Sequence, residues 1–224
     1  MEKVHINYID LSKFLSNQLA SGSKSIISMY DENRIIKIYN DYTIDRSANF
    51  KILNEASRVI TKTHLPQTVV YYNKFIIGCL MKYYKNYYHL NHLSNYQQDF
   101  ITSSLNLLIE KVKELTNNDL YPVDIYYENV LFNNDGNVEI IDLDDDGLVY
   151  SKTNEHLNTV LTNLTGTIIE VLFPAFAMSG DYEILKHYQI EKTFIDCFYN
   201  SIFSYELLEE FLTYIKTTKK IKKQ

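Results

Sequence analysis

Short apolar-rich runs divided by polar turns fill roughly the first ninety residues, and long apolar stripes at helical spacing follow them. Ser25-Ile-Ile-Ser-Met-Tyr30 and Arg34-Ile-Ile-Lys-Ile-Tyr39 flank the polar turn Asp31-Glu-Asn33, the pattern of a β-hairpin. Between Ser47 and Lys62 the apolar positions Ile52, Ala56, Val59 and Ile60 recur at a spacing that predicts a helix. Pro66 interrupts that pattern, and Thr68 to Tyr72 and Phe75 to Met81 predict two further strands around Asn73-Lys74.

From about Ser94 the pattern turns helical. Ser94 followed by Gln97 has the spacing of a capping box, and Ile101, Leu105, Leu108, Val112 and Leu115 form one stripe, predicting a helix that ends near Leu115. Val130-Leu-Phe132 and Val138-Glu-Ile-Ile141 are strand-like and are joined by the turn residues Asn133-Asn-Asp-Gly-Asn137. A second stripe runs through Leu157, Val160, Leu161, Leu164, Ile168 and Val171, and the segments 182–203 and 205–216 also predict helices. The chain therefore reads as a small β-rich part with one helix (1–82), a linker (83–93) and a larger helical part carrying an inserted hairpin (94–224), an α+β class with two lobes.

Bulk properties narrow the function. A net charge of −6 argues against nucleic acid as the main partner, because phosphate binding needs a basic face. The basic run Lys216-Thr-Thr-Lys219-Lys-Ile-Lys222-Lys reads as a solvated, frayed tail. Cys79 and Cys197 stand far apart and form no CxxC pair, which disfavours a zinc site or a disulfide framework and fits a reducing cytoplasm. No apolar run reaches the ~18 residues of a membrane span, and the N-terminus lacks a signal pattern, so a cytoplasmic protein is predicted. HExxH, GxSxG, Walker A and dinucleotide fingerprints are missing, which leaves hydrolase and dehydrogenase chemistry without support.

Most of the chemistry lies in residues 121–149, YPVDIYYENVLFNNDGNVEIIDLDDDGLV. Its tail supports a calcium reading, since Asp142, Asp144, Asp146, Gly147 and Val149 occupy positions 1, 3, 5, 6 and 8 of an EF-hand loop. Position 12, which needs a bidentate Glu, is Thr153, and the loop would have to leave a helix where the pattern predicts a strand. Read from its head, the stretch sets Asp124 five positions before Asn129, at the entry to a hairpin that ends in Asp142.

This second pattern resembles the protein kinase-like superfamily, whose catalytic loop is an Asp followed five positions on by an Asn, leading into a hairpin that ends in the DFG aspartate. The DFG position reads Asp142-Leu-Asp144, similar to the DxD version of atypical and small-molecule kinases. The resemblance implies a two-lobed fold that binds ATP and Mg²⁺ in its cleft. Asp124 would orient the acceptor hydroxyl and take its proton, while Asn129, Asp142 and Asp144 would hold the metal. It further implies a phosphate-binding Lys37 on the third strand, partnered by Glu55 on the first helix, and a phosphate-covering loop with Gly22, Ser23 and Ser25. Met81 and Tyr83, in Met81-Lys-Tyr-Tyr84, would form the adenine-binding hinge.

The departures from the pattern carry information as well. Pro122-Val123 replaces the usual His-Arg, Tyr126 replaces a Lys, and no Ala-Pro-Glu follows Asp142, so neither activation-loop phosphorylation nor the usual peptide-docking segment is expected. The expected activity is transfer of the γ-phosphate of ATP to a hydroxyl, with a protein serine or threonine slightly ahead of a small molecule of the aminoglycoside or choline type. A pseudokinase acting as a binding module, and nucleotide transfer instead of phosphate transfer, are the alternatives.

Overall fold

The residues up to Lys85 build one sheet, with an edge that the hydropathy pattern did not predict. In the computed structural model, which describes residues 1–144, 147–179, 182 and 184–218, the chain opens with β1 (Glu2–Ile6) and α1 (Tyr8–Ser16). Asn7 caps α1 through a capping box, its side chain accepting from the Asp10 amide at 2.9 Å while the Asp10 carboxylate accepts from the Asn7 amide at 3.5 Å. A meander of β2 (Gln18–Ser21), β3 (Ser25–Met29) and β4 (Arg34–Tyr39) follows, then α2 (Ser47–Ala56), β5 (Thr68–Tyr72) and β6 (Phe75–Lys82). The strand order is β1-β5-β6-β4-β3-β2, antiparallel throughout except where β1 lies parallel to β5. The expected single-helix unit thus gains a second helix and an added edge strand.

Local chemistry explains the turns. Asp31 accepts from the amides of Asn33 and Arg34 at 2.9 and 2.8 Å, and from Arg34 Nε at 2.7 Å, which closes the β3–β4 hairpin. Helix α2 is shorter than the expected 47–62. Its chain turns back at Ala56, whose carbonyl accepts from both Val59 and Ile60, and Val59 is left exposed.

Strand alternation divides the residues of β4 between two faces. Ile36 and Ile38 join Ile6, Phe14, Val70, Ile77 and Leu80 in an apolar cluster, and Lys37 and Tyr39 are buried on the opposite side. Met1–Lys85, together with Leu143 and Asp144, make up this first unit.

The second unit begins at Asn86. It contains β7 (Tyr88–His89), a 3₁₀ turn over Leu90–Asn95, α3 (Gln98–Thr116), β8 (Leu120–Pro122), β9 (Val130–Phe132), β10 (Val138–Ile140) and β11 (Leu148–Tyr150). Helices α4 (Leu157–Leu172), α5 (Pro174–Ser179), α6 (Ile184–His187), α7 (Lys192–Tyr199) and α8 (Tyr205–Thr218) complete it. The expected stripes are buried in α3 and, beyond the half-buried Leu157, in α4, and α3 packs against α8. The capping box at Ser94 and Gln97 does not form: Ser94 lies in the 3₁₀ turn, donating to the Asn91 carbonyl at 3.1 Å, and α3 starts at Gln98. The helical segment expected over 182–203 is broken between α6 and α7.

Two small sheets, β10-β9-β7 and β11-β8, carry the segment of chemical interest. A buried ion pair, Lys111 Nζ to Glu139 Oε2 at 3.0 Å, ties α3 to β10. Among the described residues no helix is long and apolar enough to cross a membrane. Residues 219–223 of the basic tail lie outside the described residues.

Candidate functional site

In the first unit, four polar side chains meet on one face of the sheet. Lys37 on β4 stands opposite Cys79 on β6 in the ladder, and Tyr39, two positions on, shares the face. Asp144 completes the group: its Oδ1 accepts from Lys37 Nζ at 2.8 Å and its Oδ2 from the Tyr39 hydroxyl at 2.6 Å, with Cys79 Sγ 3.8 Å from Oδ2. The Lys37 side chain is 7% exposed and that of Asp144 0%, so the ion pair is shielded from water and from salt screening.

The surroundings keep the neighbouring acids protonated. Burial first, then the negative charge that would form on Cys79 and the Asp144 carboxylate, holds the Tyr39 hydroxyl far above the ordinary phenol range. Burial and Asp144 likewise push the Cys79 thiol up, so it is no thiolate nucleophile at neutral pH. Gly78 is required here by close approach, because a Cβ would lie 1.9 Å from the Lys37 carbonyl oxygen.

In the second unit, Asp124 and Asn129 are brought together by a short turn. Tyr127–Asn129 form a 3₁₀ turn, and Asn129 Nδ2 donates to both the carbonyl and Oδ2 of Asp124 at 3.0 Å. The Asn129 carbonyl accepts from the Ile141 amide at 2.9 Å, which sets Asn129 beside the residue preceding Asp142. The β9–β10 hairpin fixes that register, pairing Ile140 with Val130.

Asp142 follows with φ of 65°, in the left-handed region that favours glycine and that a non-glycine residue adopts at some cost. Gly147 makes this turn possible, since a Cβ there would lie 2.3 Å from the Asp142 carbonyl oxygen. The Gly147 carbonyl in turn accepts from the Val123 amide at 3.1 Å, tying the segment after Asp142 to the segment before Asp124.

Two α4 side chains that sequence reading missed secure the backbone on either side of Asp124. Asn163 Nδ2 donates to the Val123 carbonyl at 2.6 Å, and Thr167 Oγ1 donates to the Ile125 carbonyl at 2.9 Å. Their signal in the sequence is a polar pair at i and i+4 on one side of α4, with Thr167 buried among the apolar positions of the helix.

The remaining expected site residues are spread out. Gly22, Ser23 and Ser25 lie at the β2–β3 turn, where the Gly22 amide donates to Ser25 and Asn40 Nδ2 donates to the carbonyls of Gly22 and Ser23. Met81 is paired with Ile35 near the end of β6, and the Tyr83 amide donates to the Asn33 carbonyl at 2.8 Å, so that hinge donor is already used. Glu55 is exposed on α2 and makes no ion pair with Lys37, whose carboxylate partner is Asp144. Asp144, expected as a metal ligand, has both carboxylate oxygens engaged by Lys37 and Tyr39.

Among the described residues no group of three or more His, Cys, Asp or Glu side chains is gathered to hold a metal ion. Mg²⁺ nonetheless suits the oxygen donors of Asn129 and Asp142, because it keeps several waters and takes one or two carboxylates plus substrate phosphates. The Asn129 side-chain nitrogen is committed to Asp124, which leaves the side-chain oxygen Oδ1 for a cation. An EF-hand loop does not fit, because strand β10 and not a helix leads into Asp142, and Asp144 is engaged by Lys37. No protein-family model matches this chain, and neither does the sequence of any curated protein.

Proposed function

We propose that the protein is an ATP- and Mg²⁺-dependent phosphotransferase that moves the γ-phosphate to a hydroxyl acceptor, a protein serine or threonine ahead of a small molecule. One observation carries this reading. A buried lysine on the central strand β4 is paired with Asp144, and only Leu143 separates Asp144 from the strained Asp142, which follows the β9–β10 hairpin that the Asp124–Asn129 loop leads into.

Each residue then has a role. Asp124, exposed and held by Asn129, orients the acceptor hydroxyl and takes its proton as the new P–O bond forms and the bond to the ADP oxygen breaks. Asn129 and Asp142 would hold Mg²⁺, which when bound neutralises charge on the phosphates. Lys37 supplies a fixed positive charge for the phosphate oxygens, and its shielding from water makes that charge count for more than at a surface.

A second reading has its own support. Glu55 is exposed and unpaired with Lys37, which favours a binding module that takes up nucleotide without turnover.

The deciding experiment measures thermal stability with ATP, with and without Mg²⁺, and with Ca²⁺ alone, on the wild type and on Asp142→Ala. A ligand that binds only the folded state raises the melting temperature. The phosphotransferase reading expects a Mg²⁺-dependent ATP shift that is lost in Asp142→Ala, followed by transfer of label from γ-labelled ATP in an acceptor screen. A shift without any transfer selects the binding module. The absence of an ATP shift overturns both.

A further inference from the structure

Tyr39 is buried, sits two positions beyond Lys37 on the same face of β4, and has no part in the chemistry assigned above. Its hydroxyl donates at 2.6 Å to Asp144 Oδ2, while Lys37 donates to Oδ1, and the longer Cys79 Sγ contact to Oδ2 is 3.8 Å. Its ring is covered in turn by the Arg46 guanidinium, 4.0 Å from the centroid. Arg46 is 5% exposed and anchored by Nη1 to the carbonyls of Asp41 at 2.8 Å and Ile44 at 3.4 Å, so the ring is held from the connection that leads into α2.

A carboxylate held by a single donor can turn about its Cβ–Cγ bond. Held by a separate donor on each oxygen, it has one orientation. Lys37 is a flexible four-carbon stem with a point charge at its tip, so the place of that charge is set by its partner. We propose that Tyr39 is a positioning residue that locks Asp144 so as to hold the Lys37 ammonium at one point, with Arg46 fixing the plane of the Tyr39 ring. The functional consequence rests on the phosphotransferase reading, in which a misplaced Lys37 weakens phosphate binding. The clamp itself is independent of nucleotide.

The test reads the Lys37 ammonium directly by ¹H–¹⁵N NMR on the full chain, with calorimetric MgATP affinity beside it. Surface lysine ammonium protons exchange too fast to be seen at neutral pH, whereas one held in a buried ion pair is protected. The expected result is a protected ammonium signal, assigned by its loss in Lys37→Arg. In Tyr39→Phe that signal broadens away while the backbone amide spectrum elsewhere is retained, and MgATP affinity falls at least tenfold. If Tyr39→Phe does not fold, Arg46→Lys, which keeps the charge and the Tyr39 hydroxyl but removes the planar stack, is read in the same way.

A Lys37 signal that is missing from the wild type, or unchanged in the variant, overturns the clamp. Wild-type protein that binds no MgATP but shows the protected signal, lost in Tyr39→Phe, overturns the phosphotransferase reading and leaves the clamp standing.

Discussion

Lys37 Nζ lies 2.8 Å from Asp144 Oδ1, and this ion pair brings a residue far along the chain back onto the central strand of the N-terminal sheet. Removing one partner leaves a buried charge uncompensated, a loss of about 3–5 kcal/mol. Asp144→Ala is expected to lose stability in that range. Asp144→Asn, which keeps an acceptor for the Tyr39 hydroxyl, should lose less. Urea unfolding of the two variants against wild type checks the ranking.

Three glycines separate close approach from open space. A Cβ on Gly78 would meet the Lys37 carbonyl oxygen at 1.9 Å, and one on Gly147 the Asp142 carbonyl oxygen at 2.3 Å, whereas one on Gly166 meets nothing within 4 Å. Gly78→Ala and Gly147→Ala should each destabilise by about 1–3 kcal/mol or more, because rigid backbone has to move. Gly166→Ala, within α4, should stabilise by roughly 0.5–1 kcal/mol through reduced freedom of the unfolded chain. Melting temperatures of the three variants suffice.

The support that α4 gives to the Asp124 segment can be tested without knowing the acceptor. Thr167→Val keeps the shape and removes the donor to the Ile125 carbonyl. The expected loss is about 1–3 kcal/mol, with faster hydrogen–deuterium exchange confined to residues 123–129. Unchanged exchange there would remove Thr167 from the list of supports.

Tyr205 sets an alkaline limit on stability. Burial pushes its hydroxyl up to about 12, and it shares a 2.8 Å hydrogen bond with Thr116 at the end of α3. The unfolded tyrosine loses its proton near pH ~10. Between that pH and about 12 the unfolded state binds fewer protons than the folded one, so stability falls as pH rises through the window. The contribution is fully present below pH ~10 and amounts to no more than about 2–3 kcal/mol. In Tyr205→Phe the part of the alkaline decline that belongs to this group should vanish, as followed by unfolding free energies from pH 8 to 12.

Local order was legible in the amino-acid sequence. The runs Ser25–Tyr30, Arg34–Tyr39, Thr68–Tyr72 and Phe75–Met81 became β3 to β6 within a residue or two, because alternation in a half-buried strand is a local property. The stripes of α3 and α4 held for the same reason. The spacing of Asp124 to Asn129 placed two side chains that are indeed hydrogen-bonded, since a short turn closes over five residues.

What the sequence could not decide was which partner each polar group would meet across long separations. Met1 to Asn17 carries only a short apolar pattern, and its strand exists because β5 offers a free edge for parallel pairing. Lys37 could pair with any carboxylate that the fold delivered. Glu55 stayed in water because helix α2 turns its position outward, while Asp144, 107 positions after Lys37, arrived beside Tyr39 and Cys79. Composition and periodicity act over a few residues and determine the elements; the choice of a buried ion's partner depends on desolvation and packing, and these exist only once the chain has closed on itself.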